Sequence, residues 1–250
     1  MSYKYRFEKE LNRGGFGVAY LVSDLKEKKS SKVIKKIALR DVRPEDAIDV
    51  AREADLLSKI EHDHVLVFHE SYFEDHHFCI VTEYCDGGDL KDFLSSRNKD
   101  GCILAEELVI ELTIQLLSAL VYIHSMGIIH RDLKTRNVFL KKTKHDEHSI
   151  HLVIGDFGIS KVIPETSTYI RTGSHCLKGT TSYTSPERFS GKYDFKSDIW
   201  SLGCIVFEMC TFKLAYSGKT EPEIIYKIVY HNQPNLPNSY SIELKKMFKK

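Results

Sequence analysis

Asp86-Gly87-Gly88-Asp89 divides the chain into two stretches of different period. Before it, apolar residues recur at strand spacing; beyond it, they recur at helix spacing, and two adjacent glycines between aspartates carry neither pattern through. Upstream, Tyr5–Leu11, Gly17–Ser23 and Lys32–Ile37 read as three strands, separated by a glycine turn and by the charged turn Lys26–Ser31. Pro44–Ile60 has helical spacing through Ile48, Ala51, Leu56, Leu57 and Ile60, and Val65–Phe73 with Phe78–Tyr84 forms a further strand pair. Downstream, helices are predicted at Leu90–Arg97, Glu106–Met126, Asp198–Thr211 and Glu221–Tyr230. Lys141–His148 is the charged tip between two strand-like runs, and Glu165–Lys178 is a Ser/Thr-rich loop without periodicity. The expected fold class is α+β: a small antiparallel β lobe with one helix, a boundary near residue 85, and a larger, mainly helical lobe.

Charge excludes some partners. Lys plus Arg is 36 and Asp plus Glu is 35, and a net charge of +1 supplies no general field toward nucleic acid or an anionic membrane. The most apolar stretch, Leu108–Ile123, is interrupted by Glu111, Thr113 and Gln115, so it reads as a buried amphipathic helix. Met1–Glu10 has no apolar run of signal-peptide length, and Ser2 lacks the glycine that myristoylation needs. Six cysteines without paired CxxC spacing, four of them in apolar surroundings, fit reduced thiols in an intracellular compartment. The histidine clusters have no accompanying pattern of metal-site spacing and read as surface or loop residues.

Three segments carry chemistry. Asn12-Arg13-Gly14-Gly15-Phe16-Gly17 lies between two strands, where a glycine turn brings backbone amides toward phosphate oxygens; alone, a hairpin turn needing positive φ explains it as well. Lys35, within Val33-Ile34-Lys35, is a cation among strand apolar residues, a costly placement unless an anion meets it. Glu53, on the helix that turns Leu56 and Leu57 inward, is the candidate partner. The densest signal is Ile129-His130-Arg131-Asp132-Leu133-Lys134-Thr135-Arg136-Asn137, then Val138-Phe139-Leu140, with Ile154-Gly155-Asp156-Phe157-Gly158 following; Asp156 lies nineteen residues after Asn137.

These segments match, in order and context, the H-R-D-L-K-x-x-N and D-F-G motifs, and here the chain resembles the protein kinases. The resemblance implies a two-lobed fold with residues 1–82 as the N-terminal lobe, 83–89 as the hinge and 90–250 as the C-terminal lobe. It implies that ATP and Mg²⁺ are bound and that a phosphoryl group passes to Ser or Thr of a protein substrate. Asp132 would accept or orient the substrate hydroxyl's proton, Lys134 would neutralise the moving group, and Asn137 and Asp156 would hold Mg²⁺. A phosphoryl group in flight spreads negative charge over its oxygens, so catalysis needs cations and alignment more than a strong base. Lys35, held by Glu53, would meet the α and β phosphates.

By the same resemblance the nucleotide would touch Leu11, Asn12, Arg13, Gly14, Gly15, Phe16 and Gly17, with adenine between Ala19 and Val33. Many kinases place the larger residue first and alanine second, so volume is exchanged here and not lost. Asn12 stands where the pattern has glycine, and asparagine is the residue that next best tolerates left-handed backbone. Backbone groups of Glu83 and Cys85 would bond the adenine edge, Asp89 would lie near the ribose, and the small Thr82 would leave the pocket behind adenine open. An ordinary strand and turn explains Cys79–Leu90 equally when taken alone. Gly179–Glu187 resembles the end of an activation segment, with Ser185 where A-P-E has alanine.

Thr180 and Lys134 mark the Ser/Thr class, and Ile159 favours threonine as acceptor. Arg131 would bind a phosphate on the activation segment, at Ser174 or Thr172, since Cys176 occupies the usual acceptor position. Asp198 would bond backbone near His130, and Arg136 would disfavour a basic residue just before the acceptor. Phe78–Cys85, Asn137–Leu140, Gly155–Ile159 and Ser185–Glu187 resemble the NimA-related group. That implies cytoplasmic or nuclear work in cell-cycle, microtubule, cilium or DNA-damage signalling. The family's larger lobe continues past a segment like Leu236–Lys250 to an arginine that would pair with Glu187. The expectation is therefore an incomplete lobe, from a fragment or shortened isoform, with Glu187 lacking that partner. A catalytically inactive ATP-binding scaffold is the alternative reading.

Overall fold

The computed structural model describes residues 4–14, 17–26, 30–38, 54–55, 57–98, 103–142, 149–156, 161–162, 170–171 and 181–249. The chain forms two compact units, Met1–Asp86 and Gly87–Lys250.

The first unit is built on a five-stranded antiparallel sheet of order β1-β2-β3-β5-β4. Its strands are β1 (Tyr5–Gly14), β2 (Gly17–Asp24), β3 (Ser31–Ala38), β4 (Phe68–Glu74) and β5 (His77–Glu83). The predicted strand at Val65 begins three residues later than expected, at Phe68. The backbone amide of Val67 instead goes to the Glu83 carboxylate at 2.8 Å, and Val67's carbonyl accepts from Glu83 N at 3.0 Å. Asp75 and His76, at φ 47° and 61°, form the left-handed two-residue turn that suits the twist of a hairpin.

Register sorts the sheet's side chains onto two faces. Tyr5, Val22, Ile34, Cys79 and Val81 form one buried cluster, with Tyr20 and Tyr72 packed against it. Lys32 shares that face, buried with Asp24 at 2.9 Å. On the other face Ala19 lies opposite Lys35, Leu21 opposite Val33, Val33 opposite Thr82, and Lys35 opposite Ile80. Ala54, the residue after Glu53, is buried there against Phe78 and Ile80. Glu53 itself and most of the predicted helix Pro44–Ile60 lie outside the described residues.

The second unit is mainly helical: α1 (Leu90–Asn98), α2 (Glu106–Ser125), α3 (Lys196–Thr211), α4 (Glu221–Tyr230) and α5 (Ile242–Phe248). The short strand β6 (Ile128–Ile129) pairs with β9 (Lys161–Val162), and β7 (Val138–Lys142) with β8 (Ile150–Ile154). By length and composition α2 could cross a membrane. Here Val109, Leu112, Leu116, Ala119, Leu120 and Ile123 are fully enclosed, and the helix packs on β8 and α3. The polar residues that interrupt its sequence have local uses. Thr113 Oγ1 donates to the carbonyl of Val109 at 2.6 Å. Gln115 donates to Ile150 O at 2.8 Å and accepts from Leu152 N at 2.7 Å, so it supplies β8 with the hydrogen bonds of a neighbouring strand. α5 was not predicted. Ser241 caps its N-terminus by accepting from Leu244 N, while Glu106 accepts from Ser241 N at 2.7 Å.

Candidate active site

In the second unit the charged residues between β6 and β7 are fixed by buried side chains bonding backbone. Asp198, near the start of α3 and 1% exposed, accepts from His130 N and Arg131 N, each at 2.9 Å, and from His124 Nε2 at 2.9 Å. One carboxylate thus satisfies two backbone donors that burial would otherwise leave without partners. Arg131 sits at φ 71°, in left-handed backbone unfavourable for a residue with a Cβ, and these bonds hold it there.

His130 ties this loop to the Asp156 segment. Its Nδ1 accepts from Asp132 N at 3.3 Å, so Nε2 carries the proton and donates to Gly155 O at 2.9 Å. Gly155 N donates to Asn137 O at 2.9 Å. Asp156 follows at φ 58°, a second non-glycine residue in the left-handed region.

The functional groups converge on Asp132, which is 8% exposed. Lys134 Nζ reaches its Oδ2 at 2.7 Å, and Asn137 Nδ2 donates to the same Oδ2 at 3.1 Å and to Asp132 O at 2.8 Å. Both donors hold one oxygen and fix the carboxylate rotamer, which leaves Oδ1 to face a ligand. The bonds of Asn137 Nδ2 also orient its amide, which leaves Oδ1 as its acceptor atom. Asn137 and Asp156 are hard oxygen donors of the kind Mg²⁺ takes. Among the described residues no three His, Cys, Asp or Glu side chains form a metal site, so a cation there would need further oxygens from its ligand.

The glycine turn at the start of this unit rests on β7. Gly87 N donates to Leu140 O and Leu140 N to Gly88 O, both at 2.9 Å. A Cβ on Gly87 would come within 2.7 Å of Leu140 O, so no other residue fits. Asp89 Oδ1 accepts from Asp92 N at 2.8 Å, at the start of α1, and burial raises its carboxyl above the usual range. Arg136, expected to act on substrate choice, is exposed and lies 3.1 Å from Asp89 and 3.3 Å from Asp92.

In the first unit the candidate residues share the sheet face that carries Lys35, which is half-buried, as are Ala19, Val33 and Thr82. The segment expected to meet the phosphates is strand up to its tip. Asn12, Arg13 and Gly14 belong to β1 and pair with Ala19, Val18 and Gly17; Asn12 is extended and does not use left-handed backbone. A register shift between Glu10 and Asn12 leaves Leu11 out of the pairing with β2, and its side chain is exposed. The Arg13 guanidinium is occupied by Glu10, at 2.7 Å and 3.0 Å. Gly17, at φ 119°, is where glycine is required, since a Cβ would lie 2.1 Å from Lys36 O. At the hinge, Glu83 N donates to Val67 O at 3.0 Å and Glu83 O accepts from Thr82 Oγ1 at 3.3 Å. Cys85 is buried.

Gly15, Phe16, Glu53, Phe157, Gly158, Thr172, Ser174 and Thr180 lie outside the described residues. Glu187, expected to lack its partner, accepts from Ser197 Oγ at 2.7 Å. Two residues were missed. Glu208, fully buried on α3, accepts from Lys91 Nζ at 2.6 Å, from Thr135 Oγ1 at 3.2 Å and from Tyr183 OH, whose ionisation burial and that carboxylate push upward. A charge within Val206-Phe207-Glu208-Met209 is the same signal that drew attention to Lys35. Arg188, whose guanidinium donates to Arg131 O, follows Glu187 with no such pattern.

The sequence pattern described as "Protein kinase domain" matches residues 5–250. Serine/threonine-protein kinase Nek11 of Homo sapiens is 42% identical over 244 residues, covering 96% of this chain and 36% of the relative. Serine/threonine-protein kinase Nek4 of Mus musculus is 36% identical, over 98% of this chain and 30% of the relative. The probable serine/threonine-protein kinase nek3 of Dictyostelium discoideum is 33% identical, over 98% and 21%. The chain thus spans about a third or less of these relatives' length. With Asp132, Lys134, Asn137 and Asp156 arranged as above and the pattern running almost its whole length, the chain belongs to the protein kinase domain family and is similar to its NimA-related members.

Proposed function

We propose that this chain is a protein Ser/Thr kinase domain that moves the γ-phosphoryl group of ATP, with Mg²⁺, onto Ser or Thr hydroxyls of other proteins. The observation that carries the proposal is the Asp132 carboxylate, gripped at Oδ2 by Lys134 and Asn137 with Oδ1 left to accept from a substrate hydroxyl. In that role Asp132 aligns the hydroxyl and takes its proton as its oxygen attacks the γ-phosphorus, while Lys134 brings positive charge beside the phosphoryl group being transferred. Asn137 and Asp156 would hold Mg²⁺, whose charge offsets that of the phosphate oxygens. Lys35, Ala19 and Val33, on one sheet face, would meet the phosphates and the adenine ring.

Similarity to the NimA-related kinases supports placing the work in the cytoplasm or nucleus, in cell-cycle, microtubule, cilium or DNA-damage signalling. The test is transfer from ATP and Mg²⁺ to a generic Ser/Thr protein, with nucleotide-induced thermal shift alongside. Asp132→Asn should lower transfer by about 10²- to 10⁴-fold and leave the thermal shift in place. A shift with no transfer by the unaltered chain would favour an ATP-binding scaffold instead.

A further inference from the structure

Arg188 sits in the short turn Pro186–Ser190 and is 9% exposed. Its Nη1 donates to the carbonyl oxygen of Arg131 at 2.6 Å, across a separation of 57 residues. That carbonyl belongs to the peptide bond joining Arg131 to Asp132. The amide on the other side of Arg131 donates to Asp198 Oδ1 at 2.9 Å. An anion therefore holds the N–H, and a cation the C=O, of one residue at φ 71°. Hydrogen bonds with one ionised partner are about twice as strong as neutral ones, and here both lie out of water. A residue in unfavourable backbone stays there only when its surroundings over-determine it.

We infer that Arg188 is a positioning residue: it locks the peptide bond that carries Asp132, and so sets where the Asp132 carboxylate points. Asp198 fixes the amide before Arg131; the peptide plane after it is held at its N–H end by a 3.3 Å bond from Asp132 N to His130 Nδ1, and Arg188 holds its C=O end with a shorter, charge-assisted bond. The planar guanidinium suits the task because one N–H can grip the carbonyl while the others serve further partners. The activity part of this inference rests on the kinase reading; the conformational part does not.

The experiment compares Arg188→Met, which keeps length and loses the donor, with Arg188→Lys, which keeps a cationic donor. Each is made in the 250-residue chain and assayed well below its melting temperature. Arg188→Met should lower kcat by about tenfold or more with KM for ATP unchanged, and Arg188→Lys should recover most of the loss. Amide exchange in the peptide covering residues 128–137 should quicken in Arg188→Met and not in Arg188→Lys, with the remaining helices unaffected. If the unaltered chain transfers no phosphate, the kinase reading fails, yet this exchange pattern would still uphold the lock. Unchanged kcat in an active enzyme would overturn the positioning role, as would exchange that quickens throughout the second unit in both variants.

Discussion

The two units place their candidate residues by different means. In the first, Ala19, Val33, Lys35 and Thr82 share a face because strand register puts them there, and alternation in the sequence is enough to predict it. In the second, Asp132 and Asp156 are set by buried side chains that grip backbone: Asp198, His130, Asn137 and Arg188. Register spreads its stability over a ladder of bonds. A clamp concentrates it in single groups, and this lets a residue such as Arg131 sit in backbone that no strand or helix would tolerate.

Removing one clamp should therefore cost more than disturbing one rung of the ladder. Asp198→Ala strips partners from two buried amides and from His124. It should cost the second unit about 3–5 kcal/mol in urea unfolding while exchange in the first unit is unchanged. A loss under about 1 kcal/mol would break the contrast. Gly17→Ala forces a Cβ against the Lys36 carbonyl at a positive φ and should destabilise the first unit by about 2–4 kcal/mol, read by exchange in β1 to β3. It tests whether the ladder has a weak point of its own.

The smallest effect is expected at α5. Ser241→Ala removes a cap and should cost about 1 kcal/mol, visible as faster exchange at Leu244. Acid should mimic it. The Ser241 hydroxyl and amide hold the Glu106 carboxyl below its ordinary value of 4.5. A depressed carboxyl contributes stability above 4.5 that is lost as pH falls through the lower folded value. Protection of the Leu244 amide, measured against its intrinsic exchange rate at each pH, should thus fall below pH 4.5 in the unaltered chain, and much less so in Glu106→Gln.

Legibility followed the same division. The strands and the long helices were readable because their apolar spacing recurs over many residues, and Lys196 begins α3 only two residues ahead of the predicted Asp198. α5 escaped because Ile242–Phe248 is short and charged, leaving too few turns for a period to show. The residue types around Asp132 were legible as a motif, whereas their support was not. Arg188 and Glu208 reach the loop across 57 and 73 residues, a pairing that local pattern does not encode. The alternation that exposed Lys35 could not say that Lys32, three residues earlier and on the opposite face, would be the more buried lysine, because that depended on Asp24 arriving from β2. The glycine turn was read as a loop because its composition is loop-like, although pairing with β2 carries β1 through to Gly14.

The buried thiols turn this division into something a chemist can time. Cys79 lies in the first unit and Cys204 and Cys210 in the second, all enclosed, and burial pushes the latter two up to about 12. Only a thiolate attacks an alkylating reagent at a useful rate, so at neutral pH each sulfur must wait for its surroundings to open. Labelling of Cys79 then counts openings of the sheet and labelling of Cys204 counts openings around α3. The ratio of the two rates is a direct clock of whether the halves of the chain come apart together or one at a time.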